Sequence, residues 1–418
     1  QHGWLERLAW MMRRCAVVFS EKDRAAQIVV AKTLRAMVEN PQMRAETVRA
    51  LRADLALQLE FAFLPSSLSY PLLAALKPSC VRKSDADLEA AQIRVLATVK
   101  SLQSTAARVK PLEESQPLDE EVITSAPVDL EVSPPPRSWL PSMSDVRKAF
   151  RLRANENAVE VRPSELAKQI GDCALKDEAT AVRLVQAGAL HVLIEAANAA
   201  YGSDGGTLKR RSQLDDELVS ECARAVANLC LYPEAADSAV ALGWPALLRD
   251  WILDRNANWG KLRCEALRAL LNMYPGGARY ADELWVFHAV HPSRAPDVDV
   301  VFLHGLRGGA LITWRTTQRS TQDNMKLWPR DWLASDFAGA RIISLGYETR
   351  LTAWTGPDRS LQEHARSALE AFANAGVGKG GTPVVFITHS YGGLLAKLVL
   401  SLSRDASKLQ EKEIAESF

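Results

Sequence analysis

The sequence lacks the features of a membrane-spanning chain, a zinc protein or a nucleic-acid-binding protein. No uninterrupted apolar run reaches the roughly 18 residues that a membrane-spanning helix needs. The 6 cysteines are scattered without a C-x-x-C pair, and we predict no metal site and no cofactor. Because 51 basic and 50 acidic residues nearly cancel, no overall field attracts a polyanion, and we predict no nucleic-acid partner.

The composition is typical of a folded chain with more than one domain. Hydrophobic residues make up 47% and charged residues 24% of the 418 residues, and this length suits two or three domains. The scattered cysteines indicate small buried hydrophobic residues in a reducing, intracellular compartment. Since the chain begins with Gln rather than Met, we expect its natural N-terminus, with any targeting segment, to lie upstream.

Two different segments make up the part of the chain up to position 144. Residues 1–105 are rich in Leu, Ala, Arg and Val and have little glycine, which predicts helices separated at prolines. Residues 106–144 hold seven prolines and many acidic side chains. Such a composition buries too little apolar surface to offset the chain entropy, so we predict a linker there.

Residues 145–280 contain an internal repeat. The segment that begins at Glu165 matches the segment that begins at Glu221. Gly188 and Gly243 take equivalent places, where a sharp turn between helices favours positive φ. The pattern resembles armadillo repeats, which cover their apolar faces only when stacked. We therefore predict an armadillo-like α-solenoid whose surface binds a protein partner that the sequence does not identify.

Residues 281–418 alternate between strand and helix patterns. Apolar, β-branched runs predict strands at 299–303, 340–345 and 383–388, and the helical spacing of apolar residues predicts helices at 361–372 and 391–402. Strands that alternate with helices indicate βαβ crossovers and hence parallel pairing. The predicted fold class is thus α and α/β, with a helical N-terminal region and an α-solenoid before the sheet.

The last predicted strand leads into Thr388-His389-Ser390-Tyr391-Gly392-Gly393. A strand, a sharp turn and a helix with serine at the apex form the nucleophile elbow of α/β-hydrolases, although Thr388 stands where the motif has its first glycine. We predict Ser390 as the nucleophile and the Tyr391 amide as an oxyanion-hole donor. His389, Gly392 and Gly393 are predicted to support the turn, and the two glycines to keep room for it.

A second oxyanion donor is expected in the loop after the first predicted strand. That loop begins His304-Gly305-Leu306, far upstream of Ser390 in the chain. We predict the Leu306 amide as the donor, with His304 and Gly305 shaping the loop. Four tryptophans between loop and elbow either pack an inserted segment against the sheet or line an acyl-binding cleft: Trp314, Trp328, Trp332 and Trp354.

Residues 298–402 resemble the serine active site-containing protein family, lipase-like α/β-hydrolases related to enzymes that deacylate glycosylphosphatidylinositol anchors. The segments 302–306, 313–315, 328–333, 341–344 and 389–395 carry the resemblance, together with Tyr347, Trp354 and Lys397. It implies a serine hydrolase or acyltransferase that acts on lipid esters in phospholipid remodelling, particularly of phosphatidylglycerol. It also implies a membrane-associated protein at contacts between mitochondria and endoplasmic reticulum, with an armadillo-like helical region upstream.

The acid and base of this fold normally follow the serine along the chain. The sequence ends at Phe418, soon after Ser390, and positions 391–418 hold no histidine. We therefore expect 281–418 to be the N-terminal half of a hydrolase domain, with an incomplete sheet that does not turn over an ester by itself. The alternative is a protein-interaction scaffold that combines the armadillo-like surface with an inactive hydrolase half.

Overall fold

The structure is a computed structural model that describes residues 24–40, 43–44, 47–48, 51, 85–108, 162–201, 213–253, 260–316, 326–348 and 360–418. Within them the protein is mostly helical with one small mixed sheet, in agreement with the predicted α and α/β class. Most of the predicted linker, much of the region before it and Trp354 lie outside the described residues.

Helices make up the described part of the chain before position 275. Their bounds are α1 Arg24–Glu39, α2 Asp85–Arg108, α3 Pro163–Ala174, α4 Glu178–Ala187, α5 Ala189–Tyr201, α6 Gln213–Leu229, α7 Pro233–Ala241, α8 Trp244–Leu253 and α9 Gly260–Met273. The second helix continues to Arg108, past the predicted start of the linker at position 106.

The internal repeat is visible in the order of the helices. Helices α6, α7 and α8 correspond in order to α3, α4 and α5. Helix α9 takes the place of α6 at the start of a third copy. Gly188 and Gly243 have φ of 100° and 85°, so the predicted positive φ at both turns is confirmed. In the first copy, Asp177 caps α4 by accepting a hydrogen bond from the Thr180 amide at 2.7 Å.

Apolar side chains of α2 to α9 form one continuous core. Trp244 and Trp251 are buried in it, with their rings edge to face at 6.1 Å. The four cysteines of the described residues are buried and not in disulfides: Cys173, Cys222, Cys230 and Cys264. Burial raises the pKa of the Cys264 thiol to about 12, so it behaves as an apolar group, as the sequence predicts.

Four strands form the sheet: β1 Leu284–His288, β2 Val298–Leu303, β3 Ala340–Leu345 and β4 Val384–Thr388. Their order is β1-β3-β2-β4. The predicted parallel pairing is confirmed for β2 with β3 and for β2 with β4. It does not extend to β1, which the sequence did not predict and which runs antiparallel to β3. The sheet is therefore mixed.

Helices flank the strands in the second part of the chain. Their bounds are α10 Leu361–Asn374, α11 Tyr391–Asp405 and α12 Leu409–Glu416, and two shorter elements are a π-helical turn Pro329–Leu333, continued by Ala334–Asp336, and a 3₁₀ turn Lys379–Gly381. The helices predicted at 361–372 and 391–402 both extend slightly further, to Asn374 and Asp405. Ser360 begins α10 with a capping box to Glu363.

Each face of the sheet is covered by different elements. On one face, Val301 and Leu303 pack with Phe372 of α10 and Val399 of α11. On the other face, Phe302 contacts the inserted segment, which lies between β2 and β3. The Phe302 ring lies 4.9 Å from that of Trp314 and 5.3 Å from that of Trp328. These contacts support the packing interpretation for these two tryptophans, whereas Trp332 is half exposed.

A buried ion pair joins β2 and β3. Asp299 and Arg341 are neighbours in the register, and Nε and Nη2 of the arginine each donate to the carboxylate at 2.7 Å. Arg341 also donates to the carbonyls of Ala375 and Gly376 at 2.5 and 2.7 Å and to the Tyr280 hydroxyl at 3.2 Å. The Gly378 amide donates to Asp299 at 2.8 Å. All strong hydrogen-bonding groups of the pair thereby find partners away from water.

A polar network joins the helices to the sheet. Arg224 on α6 donates to Asp282, just before β1, at 2.6 Å and to Asp172 on α3 at 2.7 Å. Arg268 on α9 donates to the same Asp282 at 3.0 Å. A cleft of about 250 Å³ lies beside this network, lined by charged side chains and Trp285. Two of its cations form ion pairs within the cleft, Lys261 with Glu221 and Arg224 with Asp282, and the residues around Ser390 are not among its walls.

Among the described helices, none alone has the length and apolar composition of a membrane span. One pair would meet both criteria if taken together, Glu178–Ala187 with Ala189–Ala200, and these two helices are bent by 63°.

Candidate active site

The backbone of Ser390 is what the elbow motif requires. Ser390 lies between the end of β4 and the first residue of α11, with φ 53° and ψ −118°. Among the described residues, only Arg307 shares with it a positive φ without being glycine. An L-residue held in this region stores about 1–3 kcal/mol of strain that the surrounding structure must offset. The turn leaves the serine exposed at the carboxyl end of the strand.

Close packing under the elbow depends on Gly392. A Cβ on this residue would lie 2.2 Å from the Leu303 carbonyl oxygen and 2.8 Å from that of His304. A Cβ on Gly393 would meet Thr388 Oγ1 at an ordinary 3.5 Å. Of the two glycines predicted to keep room for the turn, Gly392 therefore faces the backbone after β2, whereas Gly393 has space for a side chain.

The predicted oxyanion loop does meet the elbow. A Cβ on Gly305 would lie 2.7 Å from His389 Nδ1 and 3.0 Å from Ser390 Cβ, so the loop touches the turn at that point. The His389 amide donates to the Leu303 carbonyl at 3.0 Å, which ties the start of the elbow to the end of β2. The structure thus brings together two segments that lie far apart in the sequence.

Two backbone amides lie next to this contact. Leu306 directly follows Gly305, and Tyr391 is the first residue of α11. Within the described part of the chain, neither amide donates to a protein acceptor. The loop closes behind Leu306 through a 3.0 Å hydrogen bond from the Gly308 amide to the Gly305 carbonyl. A helix N-terminus with unsatisfied amides attracts negative charge.

His304 is a buried part of the loop. Its Nδ1 lies 2.9 Å from the Gly305 carbonyl oxygen, which only accepts, so the ring proton is on Nδ1. Its Nε2 is buried and has no hydrogen-bond partner in the described structure. Burial lowers the pKa of His304 below its ordinary value, and the imidazole is neutral at pH 7. This environment fits the supporting role that the sequence predicts.

Tyr347 belongs to the residues that carry the family resemblance, but the sequence assigns it no role in the site. It follows β3, its ring stacks on the His304 imidazole at 4.1 Å with 12° between the planes, and its hydroxyl donates to the His304 carbonyl. The ring of Tyr391 is also near, with its centroid 6.4 Å from that of Tyr347. No local pattern marks Tyr347, because the contact depends on the pairing of β3 with β2.

The side chain of Ser390 has no hydrogen bond within the described residues. His389 is exposed beside it. Two buried histidines belong to the elements around it: His304 in the loop that meets the elbow, and His364 on α10, whose ring lies 5.6 Å from that of Tyr347. The described geometry therefore holds a presented hydroxyl and two backbone amides without an acceptor among the described residues. These are the parts that acyl transfer needs for attack and for stabilisation of the tetrahedral oxyanion.

Comparison with known proteins identifies relatives of the chain. No family model matches it. Two engineered proteins of known structure match 58% and 63% of the chain at 16% identity, and their TM-scores of 0.23 carry no information on its fold. Protein SERAC1 of Danio rerio is 32% identical over 196 residues, which are 42% of this chain and 29% of that protein. Protein SERAC1 of Bos taurus is 32% identical over 205 residues, 45% of this chain and 30% of that protein.

Protein SERAC1 of Homo sapiens is 31% identical over 192 residues, 42% of this chain and 29% of that protein. The matched part thus spans less than one third of the length of these relatives. The chain therefore has homologues named SERAC1, which match a little over 40% of its length at about 31% identity.

Proposed function

We propose that the protein is a serine hydrolase or acyltransferase that acts on lipid esters, with Ser390 as its nucleophile. The observation that carries the proposal is the strained, exposed Ser390 between β4 and α11, with Gly305 of the opposite loop packed against it. A backbone strain of this kind at an exposed serine, beside two amides that can bind an oxyanion, is typical of a catalytic position.

The proposed reaction proceeds through an acyl-enzyme. Ser390 Oγ attacks the ester carbonyl carbon and gives its proton to a general base, an imidazole or carboxylate. The carbonyl electron pair moves to oxygen, and the Leu306 and Tyr391 amides donate to that oxyanion. When the tetrahedral intermediate collapses, the ester C–O bond breaks and the alcohol leaves with a proton. Water, or a second alcohol in a transfer reaction, then releases the acyl group from Ser390.

Apolar side chains around the serine support a lipid substrate. Leu306, Ile312 and Leu394 belong to the two segments that meet at Ser390, and they are 43%, 68% and 56% exposed. Four exposed cations lie in the same segments, Arg307, Arg315, Lys397 and Arg404, whereas 304–316 and 389–404 contain no acidic residue. Acyl chains and a phosphate headgroup suit such a surface.

The finer parts of the proposal depend on the family resemblance. They are phosphatidylglycerol as the remodelled lipid, association with a membrane surface, and a location where mitochondria and endoplasmic reticulum meet. We propose in addition that α3–α9 stack as armadillo-like repeats and offer a surface to a protein partner. The repeated order of the helices and the positive φ of Gly188 and Gly243 support this classification.

A fluorophosphonate probe tests the nucleophile. We expect the complete gene product, with whatever sequence flanks residues 1–418, to be labelled covalently as Ser390 Oγ bonds phosphorus and fluoride leaves. Labelling should disappear in Ser390→Ala and persist in Ser401→Ala, a matched change of an exposed serine on the same helix. Mass spectrometry of the tryptic peptides would locate the adduct. A folded protein that is not labelled, or whose labelling survives Ser390→Ala, would show that the proposal is wrong.

A further inference from the structure

We propose that Tyr347 is a positioning residue for the oxyanion hole: by holding the His304 carbonyl it sets where the Leu306 amide lies relative to Ser390. The inference rests on the proposed function. It adds a residue from a third strand end to the two segments that form the site. Tyr347 itself does not touch the reacting atoms in this proposal and acts through the loop.

The sheet brings Tyr347 to this place. In the parallel pair of β2 and β3, Leu303 is the partner of Leu345, so the residues that follow both strands lie side by side. Gly346, between β3 and Tyr347, is held by a 2.7 Å hydrogen bond from its amide to the Glu283 carbonyl. A Cβ on Gly346 would lie 2.9 Å from Trp285 Nε1, so the chain passes close against β1. Tyr347 therefore projects from a firmly seated strand end.

Tyr347 contacts His304 in two ways. The hydroxyl donates to the His304 carbonyl oxygen, and the phenol ring covers the imidazole at 4.1 Å. Because His304 is buried and neutral, the stacked rings bring no charge into the contact. Side chain and backbone of His304 are thus held by one residue.

The held carbonyl controls the amides that follow it. The His304 carbonyl lies 2.8 Å from where a Cβ on Gly392 would be, so it sits between the elbow and the Tyr347 hydroxyl. A peptide unit is planar, and fixing this carbonyl also fixes the Gly305 amide plane and the direction in which the chain reaches Leu306. Oxyanion donors act at about 2.7–3.1 Å, so a small rotation here removes much of their effect.

The state of the Tyr347 hydroxyl excludes a role as the general base. Burial and the neighbouring Tyr391 raise the pKa of Tyr347 above its ordinary value, and the hydroxyl keeps its proton at pH 7. That proton is already donated to a carbonyl. A hydroxyl in this state holds a backbone group in place and does not take the proton of Ser390.

The experiment compares Tyr347→Phe with Tyr280→Phe in the complete gene product. The first variant keeps the stacked ring and removes the donor. The second removes another buried tyrosine hydroxyl, which accepts a hydrogen bond from Arg341 at 3.2 Å. We measure kcat and KM with a water-soluble short-chain ester and the rate of fluorophosphonate labelling. Tyr347→Phe should lower kcat and the labelling rate by about 10- to 100-fold with KM within twofold, since an oxyanion donor is weakened.

The outcomes separate this inference from the proposed function. Tyr280→Phe should lose stability and keep kcat. In a second variant, 4-aminophenylalanine at position 347 again places an N–H donor near the His304 carbonyl and should restore kcat to within about threefold. Unchanged kcat in Tyr347→Phe, a change in KM alone, or no recovery with the amino analogue overturns the positioning role while Ser390 remains the nucleophile. A folded wild type that is not labelled overturns the proposed function and this inference with it.

Discussion

Gly392 and Gly393 are adjacent in the sequence, yet they have different neighbours in the structure. Gly392 faces the Leu303 carbonyl at a distance that no Cβ can occupy, and Gly393 faces only the Thr388 hydroxyl. The elbow therefore depends on one glycine for the approach of α11 to the end of β2. Gly393 lies in the helix, and its neighbours leave room for a side chain, so packing does not require glycine at this position.

Substitution of each glycine by alanine should give opposite results. Gly392→Ala forces backbone to move and should lower the unfolding free energy by about 1–3 kcal/mol or more, as overpacking does. It should also slow probe labelling, since Ser390 moves with the turn. Gly393→Ala should leave labelling unchanged and stabilise α11 by up to about 1 kcal/mol. Urea unfolding and labelling rates check both, and equal effects of the two changes would contradict this account.

The sequence predicts roles for the residues of the candidate site that belong to local motifs and predicts none for Tyr347, which belongs to no such motif. Ser390, His304 and Gly305 follow strands in recognisable loops, and the structure places all three at one contact. Their roles in catalysis stay predictions. Tyr347 follows a strand as well, but its contact with His304 depends on which strand lies beside which, and strand order is not written in a local pattern.

The same distinction holds for whole elements. Strands β2, β3 and β4 are buried apolar runs separated by helices, and the predicted bounds differ from the observed ones by a residue or none. Strand β1 is short, with an irregular burial pattern, and its partner β3 begins only at Ala340, after β2 and the inserted segment. Neither its alternation nor a nearby turn announces it, which explains why the mixed sheet was predicted as parallel.

The buried pair that joins β2 and β3 should be important for the sheet. Asp299→Ala leaves the Arg341 guanidinium buried without its carboxylate, and removal of one partner of such a pair destabilises by about 3–5 kcal/mol. The matched control is Arg294→Ala, which breaks an exposed pair with Asp297 and should change stability by less than about 1 kcal/mol. Chemical unfolding at pH 7 measures both. A small effect of Asp299→Ala would show that water replaces the lost carboxylate.

At the scale of the whole molecule, helices and sheet share hydrogen bonds as well as apolar contacts. Asp282, at the entry to β1, accepts from Arg224 of α6 and Arg268 of α9. Two residues earlier, the Tyr280 amide donates to Asn272 Oδ1 at 2.7 Å, and the Asn272 side-chain amide donates to the Tyr280 carbonyl at 3.0 Å. The segment between α9 and β1 is thereby bound to the helical repeats at Tyr280 and at Asp282.

Asp282 should make this junction sensitive to acid. Burial by itself would raise the pKa of the Asp282 carboxyl. The positive charges of Arg268 and Arg224 outweigh this effect and hold the pKa below its ordinary value. Such a carboxylate stabilises the folded state above its unfolded pKa of about 3.9, and the contribution is lost as pH falls through the lower folded value. Asp282→Asn should therefore lower the unfolding free energy at pH 7 by about 2–3 kcal/mol, with a deficit that shrinks below about pH 4.

Urea titrations of wild type and Asp282→Asn between pH 3 and pH 7 would measure that deficit. Glu39→Gln is the control, because Glu39 forms an exposed pair with Arg35 on α1 and should change stability by less than about 1 kcal/mol at any of these pH values. A deficit that stays constant across this range would show that the charge of Asp282 contributes nothing to the junction.

The strand order also determines a sequence of events during synthesis. Strand β1 ends at His288 and pairs with β3 alone, and β3 is complete only when the chain has reached Leu345. At about 5–20 residues per second a ribosome needs roughly 3–11 seconds to make that interval. Until then β1 has no strand partner, while α9 and its side of the polar network are already complete. The helical repeats thus serve as the first surface on which the nascent sheet can be held, before the serine that we propose as nucleophile has been translated.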